Sequence, residues 1–168
     1  RRHTRYGTVT GVQTCALPIW IASSGTCVVG MGFVLSPEER DALVRKNKRN
    51  AQRIFPYLGG QEVNSSPTQD FSRYIISFHD MSLEMAEEWP DLLEIVRERV
   101  KPERDRLRLD NASARVLREL WWRFQAHRPE LYAALAPLSR CLVTACVSKH
   151  LIFSFQPTDR IFSHALYA

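Results

Sequence analysis

The amino-acid sequence predicts a mixed α/β domain of the α+β class, with helices in the middle of the chain and β-strands on either side. Apolar residues recur at helical spacing between residues 82 and 136, whereas apolar runs typical of strands lie before and after this region. The 168 residues are 45% hydrophobic and 24% charged, as in ordinary globular domains. This composition excludes a disordered tail, and no run approaches the ~20 apolar residues that a membrane-spanning helix needs.

The first predicted elements are a buried strand and a helix with a clear start signal. The run VVGMGFVL, residues 28–35, is apolar and predicts a strand that bends at its two glycines. Ser36 is placed to cap the following helix, because Pro37 suits the first helical position and Glu39 completes a capping box. We expect this helix to reach Asn47 and, with only a thin apolar face, to lie on the surface.

A loop and a second strand are predicted next. The segment IFPYLGGQE, residues 54–62, is expected to be a loop, because Pro56 fixes a bend and the Gly59-Gly60 pair permits positive φ. Residues 71–78, FSRYIISF, alternate between an apolar and a mixed face, which is typical of a strand in a partly covered sheet.

The central region reads as a series of helices. Ser82 is placed to cap a short helix, and a longer one begins at Asp91 and meets Pro102, which breaks or kinks a helix. Helical spacing resumes over residues 103–124, and a short helix is predicted over residues 129–136.

The last part of the chain is predicted to be an antiparallel β segment. Two apolar runs, Cys141–Val147 and Leu151–Phe155, are joined by a tight connection at residues 148–150. A third run, Ile161–Tyr167, predicts one more strand, and we expect the domain to be truncated inside this region.

Common catalytic and metal-binding motifs are absent from the sequence. It has no GxSxG, GxxxxGK[ST], HExxH or GxGxxG pattern, and no CxxC pair, so no catalytic residue and no metal site are predicted. Adjacent His79 and Asp80, at the end of a predicted strand, leave open a small α/β enzyme that uses this pair. No nucleophile for such an enzyme can be placed from the sequence.

The net charge of +5 depends strongly on the first nineteen residues. Of 23 basic residues, three arginines lie in residues 1–19, which leaves 20 basic against 18 acidic residues and a net charge of +2 in the rest. Residues 9–19, VTGVQTCALPI, resemble the in-frame translation of a common sequencing adapter. We therefore expect residues 1–19 to be a non-native segment and the natural chain to begin upstream; a targeting peptide is the rival interpretation.

Six cations lie within residues 97–108 of the helical region, and four acidic residues lie among or just before them, in residues 94–105. Alternating charges are typical of a solvated, salt-bridged helix face. The same pattern is also compatible with a nucleic-acid contact, because residues three or four apart share a helix face. The four cations that would share this face, if the kink at Pro102 is mild, are Arg97, Lys101, Arg104 and Arg108.

A series of motifs, taken in order, resembles the target-recognition region of large single-chain type II enzymes that fuse an adenine methyltransferase with a restriction endonuclease. The resemblance covers about residues 28–168. Its motifs are FVLSPEE (residues 33–39), IFPYLGGQEVN (54–64), YIISF (74–78), DMSLE (80–84), VRERVKPERDR (96–106), WW (121–122) and CLVTACVSKHLIFSF (141–155).

The resemblance implies a domain organisation and a function. Residues 20–35 would be the junction to a missing methyltransferase core, and residues 36–168 a partial DNA target-recognition domain. The parent protein would bind S-adenosylmethionine, methylate adenine N6 in DNA and, where a nuclease is present, use Mg²⁺. This chain has no NPPY-type motif, so we expect no cofactor in it.

The resemblance also assigns roles to individual residues. The expected partner is double-stranded DNA, with no membrane and no obligate protein partner, in the bacterial cytoplasm. A stand-alone DNA-binding specificity module without catalysis is the alternative. Phosphate contacts are expected from Arg97, Lys101, Arg104, Arg108 and Lys149, and groove contacts from Gln61, Asn64 and His150.

Overall fold

The computed structural model of the chain describes residues 22–168, so the expected adapter-derived segment, residues 1–19, lies outside the described residues. The described part is mixed α/β, as the sequence predicts, with short helices and two sheets that are mostly antiparallel. None of the helices in residues 22–168 is long and apolar enough to cross a membrane.

The first sheet has four strands in the order β1 (Val34–Leu35), β3 (Arg73–Ile76), β2 (Ile54–Leu58) and β6 (Ile161–Phe162). Strand β3 pairs antiparallel with both β1 and β2, whereas β2 and β6 are parallel. Both Ile75 and Ile76 are buried, so this sheet is covered on both faces at its centre.

The predicted strand over residues 28–35 is much shorter in the structure. Only Val34 and Leu35 pair with a neighbouring strand. Val29 and Gly30 have positive φ values of 53° and 90°, and this left-handed backbone turns the chain away from the sheet. The prediction of a continuous strand is therefore wrong, although Val28 and Phe33 are buried as expected.

The predicted loop at residues 54–62 is also wrong. Its first half is the central strand β2, and its second half begins helix α2 (Gly60–Ser65). The position of Pro56 within β2 explains why a proline is tolerated there. Ser77 N–H donates to Arg53 O, so every second residue of β2 counted from Arg53 forms its backbone hydrogen bonds with β3, and Pro56 falls between them. In this register the Pro56 nitrogen points away from β3, where a missing N–H costs no hydrogen bond.

The first helices follow the predicted start signals. Helix α1 (Pro37–Lys46) has the predicted capping box, since Glu39 N–H donates to Ser36 Oγ and Ser36 N–H donates to the Glu39 carboxylate. None of its residues is buried, as its thin apolar face predicts. A 3₁₀ helix, Lys48–Arg53, connects α1 to β2.

The central helices are shorter than the apolar spacing predicts. Ser82 caps α3 (Leu83–Ala86), as predicted. The chain then breaks at Val100, one residue before α5, and Asn111 caps α6, so the expected continuous helix over residues 103–124 is wrong. The four remaining helices are α4 (Pro90–Arg99), α5 (Lys101–Asp105), α6 (Ala112–Glu119) and α7 (Pro129–Leu135).

The second sheet confirms the predicted terminal antiparallel segment. Its order is β5 (Ser154–Pro157), β4 (Arg140–Ala145) and β7 (Leu166–Tyr167). The connection between β4 and β5 spans residues 146–153 and is longer than the predicted tight turn. The run Ile161–Tyr167 is not one strand, because its first residues form β6 in the other sheet.

Two buried apolar clusters form the core. The larger lies between the first sheet and α4 and includes Trp89, Trp121 and Trp122. The smaller joins β2, α7 and the second sheet, with Val143 and Leu166 fully buried at its centre. The smaller cluster therefore connects the two sheets, since it contains Leu58 and Phe162 of the first sheet as well as residues of the second.

Candidate nucleic-acid interface

The four cations that were predicted to share one helix face lie on two helices and the turn that follows them. Arg97 is exposed on α4, with its guanidinium 5.8 Å from the centre of the Trp121 ring. Lys101 lies at the start of α5, where its ammonium group is 2.9 Å from the carboxylate of Asp105. Arg108 is exposed beyond the end of α5. These three cations remain at the surface.

Arg104, the fourth of these cations, is buried, which corrects the expectation that it contacts a phosphate. Its side chain is only 2% exposed. The guanidinium donates hydrogen bonds to the carbonyl oxygens of Leu120, Trp121 and Arg123, at 3.1, 3.0 and 2.6 Å. It also donates to Val28 O at 3.3 Å. Burial lowers the pKa of Arg104 to about 10, and both of its terminal guanidinium nitrogens donate to main-chain oxygens inside the fold.

Two of the three residues predicted to contact a DNA groove, Gln61 and Asn64, lie on helix α2. A buried carboxylate holds this helix in place, because Glu62 accepts a hydrogen bond from Gly59 N–H at 3.1 Å and pairs with Arg73 at 2.6 Å. Gln61 and Asn64 are both exposed on α2. Gln61 borders an open depression whose other lining residues are Glu62, Ser65, Ser66, Ser72 and Arg73.

Helix α2 contacts the connection between β4 and β5. Asn64 Nδ2 donates to Val147 O at 2.9 Å, and Cys146 N–H donates to Ala165 O at 2.8 Å. The first two residues of the connection, Cys146 and Val147, are thus each held by a hydrogen bond. Lys149 and His150, which follow them, are exposed. The structure therefore places four predicted residues on α2 and the adjoining connection. We call this set, Gln61, Asn64, Lys149 and His150, the α2–connection surface.

The helical cations belong to a different part of the fold. Helix α4, which carries Arg97, packs into the larger cluster, whereas β4 packs into the smaller one. The predicted set of eight residues thus divides into the α2–connection surface, three helical surface cations and one buried arginine.

Several exposed residues of the second sheet and of the β4–β5 connection were not among the predicted site residues. They lie in the stretch from residue 131 to residue 158, which contains no Asp or Glu. That gap in the acidic residues was visible in the sequence, but the exposure of apolar side chains on a predicted strand was not. The residues are Arg140, Leu151, Phe153 and Phe155.

The His79–Asp80 pair does not form a dyad. His79 Nδ1 lies 2.5 Å from His127 Nε2, and the Asp80 carboxylate is 3.7 Å from His127 instead of reaching His79. The hydroxyl near His79 is that of Ser77, at 3.4 Å, and Ser77 is fully buried. Burial is the main cause that lowers the pKa of His79, to about 4, and it also lowers the pKa of His127.

The described residues offer no metal centre. No group of three His, Cys, Asp or Glu side chains in residues 22–168 is placed to hold an ion. Cys27, Cys141 and Cys146 are free thiols, and burial raises the pKa of Cys141. Cys15 lies outside the described residues.

Comparisons with known proteins show a similarity to a solved structure. No protein-family model and no curated protein sequence matches the chain. Among solved structures, the chain is similar to the type IIL restriction–modification enzyme MmeI in complex with DNA, with a TM-score of 0.66 and 15% sequence identity. The match covers 87% of this chain but 18% of MmeI, so the chain spans about a fifth of the length of that enzyme. The chain thus shares a fold with one part of a restriction–modification enzyme.

Proposed function

We propose that this chain is a DNA target-recognition module of a site-specific adenine-N6 DNA methyltransferase of the restriction–modification type. The observation that carries the proposal is the contact between Asn64 and Val147, which joins α2 to the β4–β5 connection. Through it, amide side chains that can read base edges lie on the same surface as Lys149, a cation that can bind a phosphate. The shared fold with MmeI supports the proposal.

Local charge favours an anionic partner at this surface. The stretch that contains Lys149 and His150 lacks carboxylates from residue 131 to residue 158, so no acidic side chain of that stretch opposes a phosphate. A local cationic surface binds DNA even when the net charge of the chain is small. We assign phosphate contacts here to Lys149, and base-edge contacts to Gln61, Asn64 and His150.

The helical cations are proposed as a secondary phosphate site. Arg97 and Arg108 are exposed and available, whereas Lys101 must first leave its ion pair with Asp105. We therefore expect Lys101 to contribute less than either arginine. The methyl donor S-adenosylmethionine, and Mg²⁺ where a nuclease is present, would bind other domains of the parent protein.

The proposal predicts that removing a cation of the α2–connection surface lowers the salt dependence of duplex binding. With the Lys149→Ala variant, log Kd plotted against log salt should change in slope by about 0.9 for the lost phosphate contact. Gln61→Ala should leave that slope unchanged but reduce the preference between duplex sequences. Fluorescence anisotropy with labelled duplexes of several sequences measures both quantities.

Lys48→Ala is the matched control, because Lys48 is an exposed lysine of the 3₁₀ helix that enters β2 at the end opposite to α2. Its salt slope should equal that of the wild-type protein. Equal slopes for Lys149→Ala and wild type, or an equal loss in Lys48→Ala, would contradict the assignment.

A further inference from the structure

The second sheet has an exposed outer face with aromatic and aliphatic side chains. Leu142 lies opposite Phe155 in the β4–β5 pair, and Thr144 lies opposite Tyr167 in the β4–β7 pair. Directly opposite residues project from the same face, and residues two apart along β4 do so as well. Leu142, Phe155 and Tyr167 are 47%, 64% and 46% exposed.

This apolar face continues into the β4–β5 connection. Burial alternates strictly from residue 153 to residue 157, with Ser154 and Gln156 turned inward. Leu151, Phe153 and Phe155 therefore follow one another on the outer side, and Leu151 is 84% exposed. We call these three residues the aromatic ridge.

Cations, and no carboxylates, accompany the ridge within its own stretch of chain. The guanidinium of Arg140 lies 4.7 Å from the centre of the Phe155 ring, across the pair of β4 with β5. Lys149 precedes the ridge by two residues, and residues 131–158 include no Asp or Glu. An apolar surface in contact with a cation, in a stretch of chain without carboxylates, suits a ligand that combines flat apolar rings with negative charge, which describes a nucleic-acid strand better than an average polypeptide surface.

We infer that the aromatic ridge is a stacking platform for unpaired bases of single-stranded DNA. The inference rests on the proposed function, which supplies DNA as the ligand class. It deepens that function, because the chain would also bind a strand exposed where the duplex opens locally. Successive outward residues of a strand are about 7 Å apart, twice the ~3.4 Å spacing of stacked bases, so one base fits between two ridge side chains. Arg140 is placed to bind the phosphate beside a stacked base.

The test measures the affinity of the full chain for a labelled 12-nucleotide single strand and for the duplex of the same sequence. The Phe153→Ala/Phe155→Ala double variant should bind the single strand about 10- to 100-fold more weakly, as expected when base stacking is lost. Its affinity for the duplex should change less than threefold. Val116→Ala, which shortens an exposed apolar side chain on α6, is the control and should match wild type on both ligands.

The outcomes separate this inference from the proposed function. Single-strand affinity that is unmeasurable in wild type, or within twofold of wild type in the double variant, overturns the ridge while duplex recognition stands. Single-strand binding without duplex binding sustains the ridge and overturns the duplex proposal. A wild-type dimer that the double variant converts to a monomer, seen by light scattering, would make the ridge a protein interface and overturn it.

Discussion

Arg104 is a cation that the fold uses internally. Its guanidinium lies among main-chain carbonyl oxygens of the segment after α6 and of Val28, and no carboxylate is among its hydrogen-bond partners in the described residues. The N–H groups of the buried guanidinium donate hydrogen bonds to these carbonyl oxygens. One arginine in a strongly basic segment thereby connects α5 to two distant stretches of chain.

Replacing Arg104 should destabilise the protein more than replacing any neighbouring cation. Arg104→Met keeps an unbranched apolar stem but removes the guanidinium and so leaves several buried carbonyl groups without a donor, and we expect a loss of about 2–4 kcal/mol of unfolding free energy. Urea denaturation measures it. Arg108→Met, at an exposed position, should change stability by less than about 0.5 kcal/mol, and a similar small value for Arg104→Met would contradict this role.

His79 and His127 form a second buried polar contact, which is sensitive to pH. Their ring centres are 4.4 Å apart, and the hydrogen bond between them needs a nitrogen that is free of its proton. Burial, followed by the charges of His127 and Arg53, lowers the pKa of His79 to about 4, against the opposing effect of Asp80. The unfolded chain therefore binds a proton at a higher pH than the folded one.

This pKa difference predicts a loss of stability as the pH falls from about 6.5 to about 4. Above that window both states are neutral at His79, and below it both are protonated, so the loss is confined to it. Because the His79 ring is partly open to water, we expect about 1–2 kcal/mol from this group.

His79→Asn is the variant that tests it, because asparagine tolerates the positive φ of 51° at this position and does not titrate. Unfolding free energies at pH 7 and at pH 4 should differ less for the variant than for wild type. The same difference in both proteins would show that the His pair does not contribute.

At the scale of the elements, the sequence predicts best what is decided within one turn of the chain. The capping box of Ser36 and Glu39 and the cap at Ser82 need only residues three positions apart, and both form as predicted. The chain between Val100 and Asn111 is different, because the apolar spacing there fits a continuous helix while the buried Arg104 requires the chain to end α5 and turn.

The central strand β2 could not be predicted, because it depends on pairing with strands that are distant in the sequence. Pro56 and the following glycines favour a loop, and only the pairing of β2 with β3 and β6 on either side makes the segment a strand. The end of that misread segment begins α2, so the sequence identified Gln61 and Asn64 as candidates without the helix that brings Asn64 to Val147.

The terminal sheet shows the opposite case. Strands β4 and β5 and the polar Lys149 and His150 between them were predictable from two apolar runs and the polar residues that join them, although the connection is longer than predicted. Which face of a strand is covered depends on neighbouring elements, and so the exposure of Phe153 and Phe155 was not predictable. A period of two separates the faces but does not tell which one is buried.

For the whole molecule, the segment from Ser23 to Val28 joins the two sheets and the helices. Ser23 and Ala168 exchange backbone hydrogen bonds at 2.9 and 3.1 Å, and Gly25 N–H donates to Leu166 O at 3.0 Å. Further along, Cys27 pairs with Ala126 before Val28 accepts from Arg104. The beginning and the end of the described chain therefore hold each other in place, and we expect the two apolar clusters to unfold together.

Gly25→Ala should disrupt this closure. A Cβ at Gly25 would overlap the carbonyl oxygens of Phe162 and Ser163, which are main-chain atoms that cannot rotate aside. We expect a loss of about 1–3 kcal/mol and a midpoint of thermal unfolding lowered by roughly 3–10 °C. Gly60→Ala is the matched control, because its Cβ would meet Ala165 at an ordinary 3.4 Å and alanine favours the first turn of α2, so its midpoint should stay the same or rise. Equal midpoints for the two variants would mean that the Ser23–Val28 segment does not hold the sheets together.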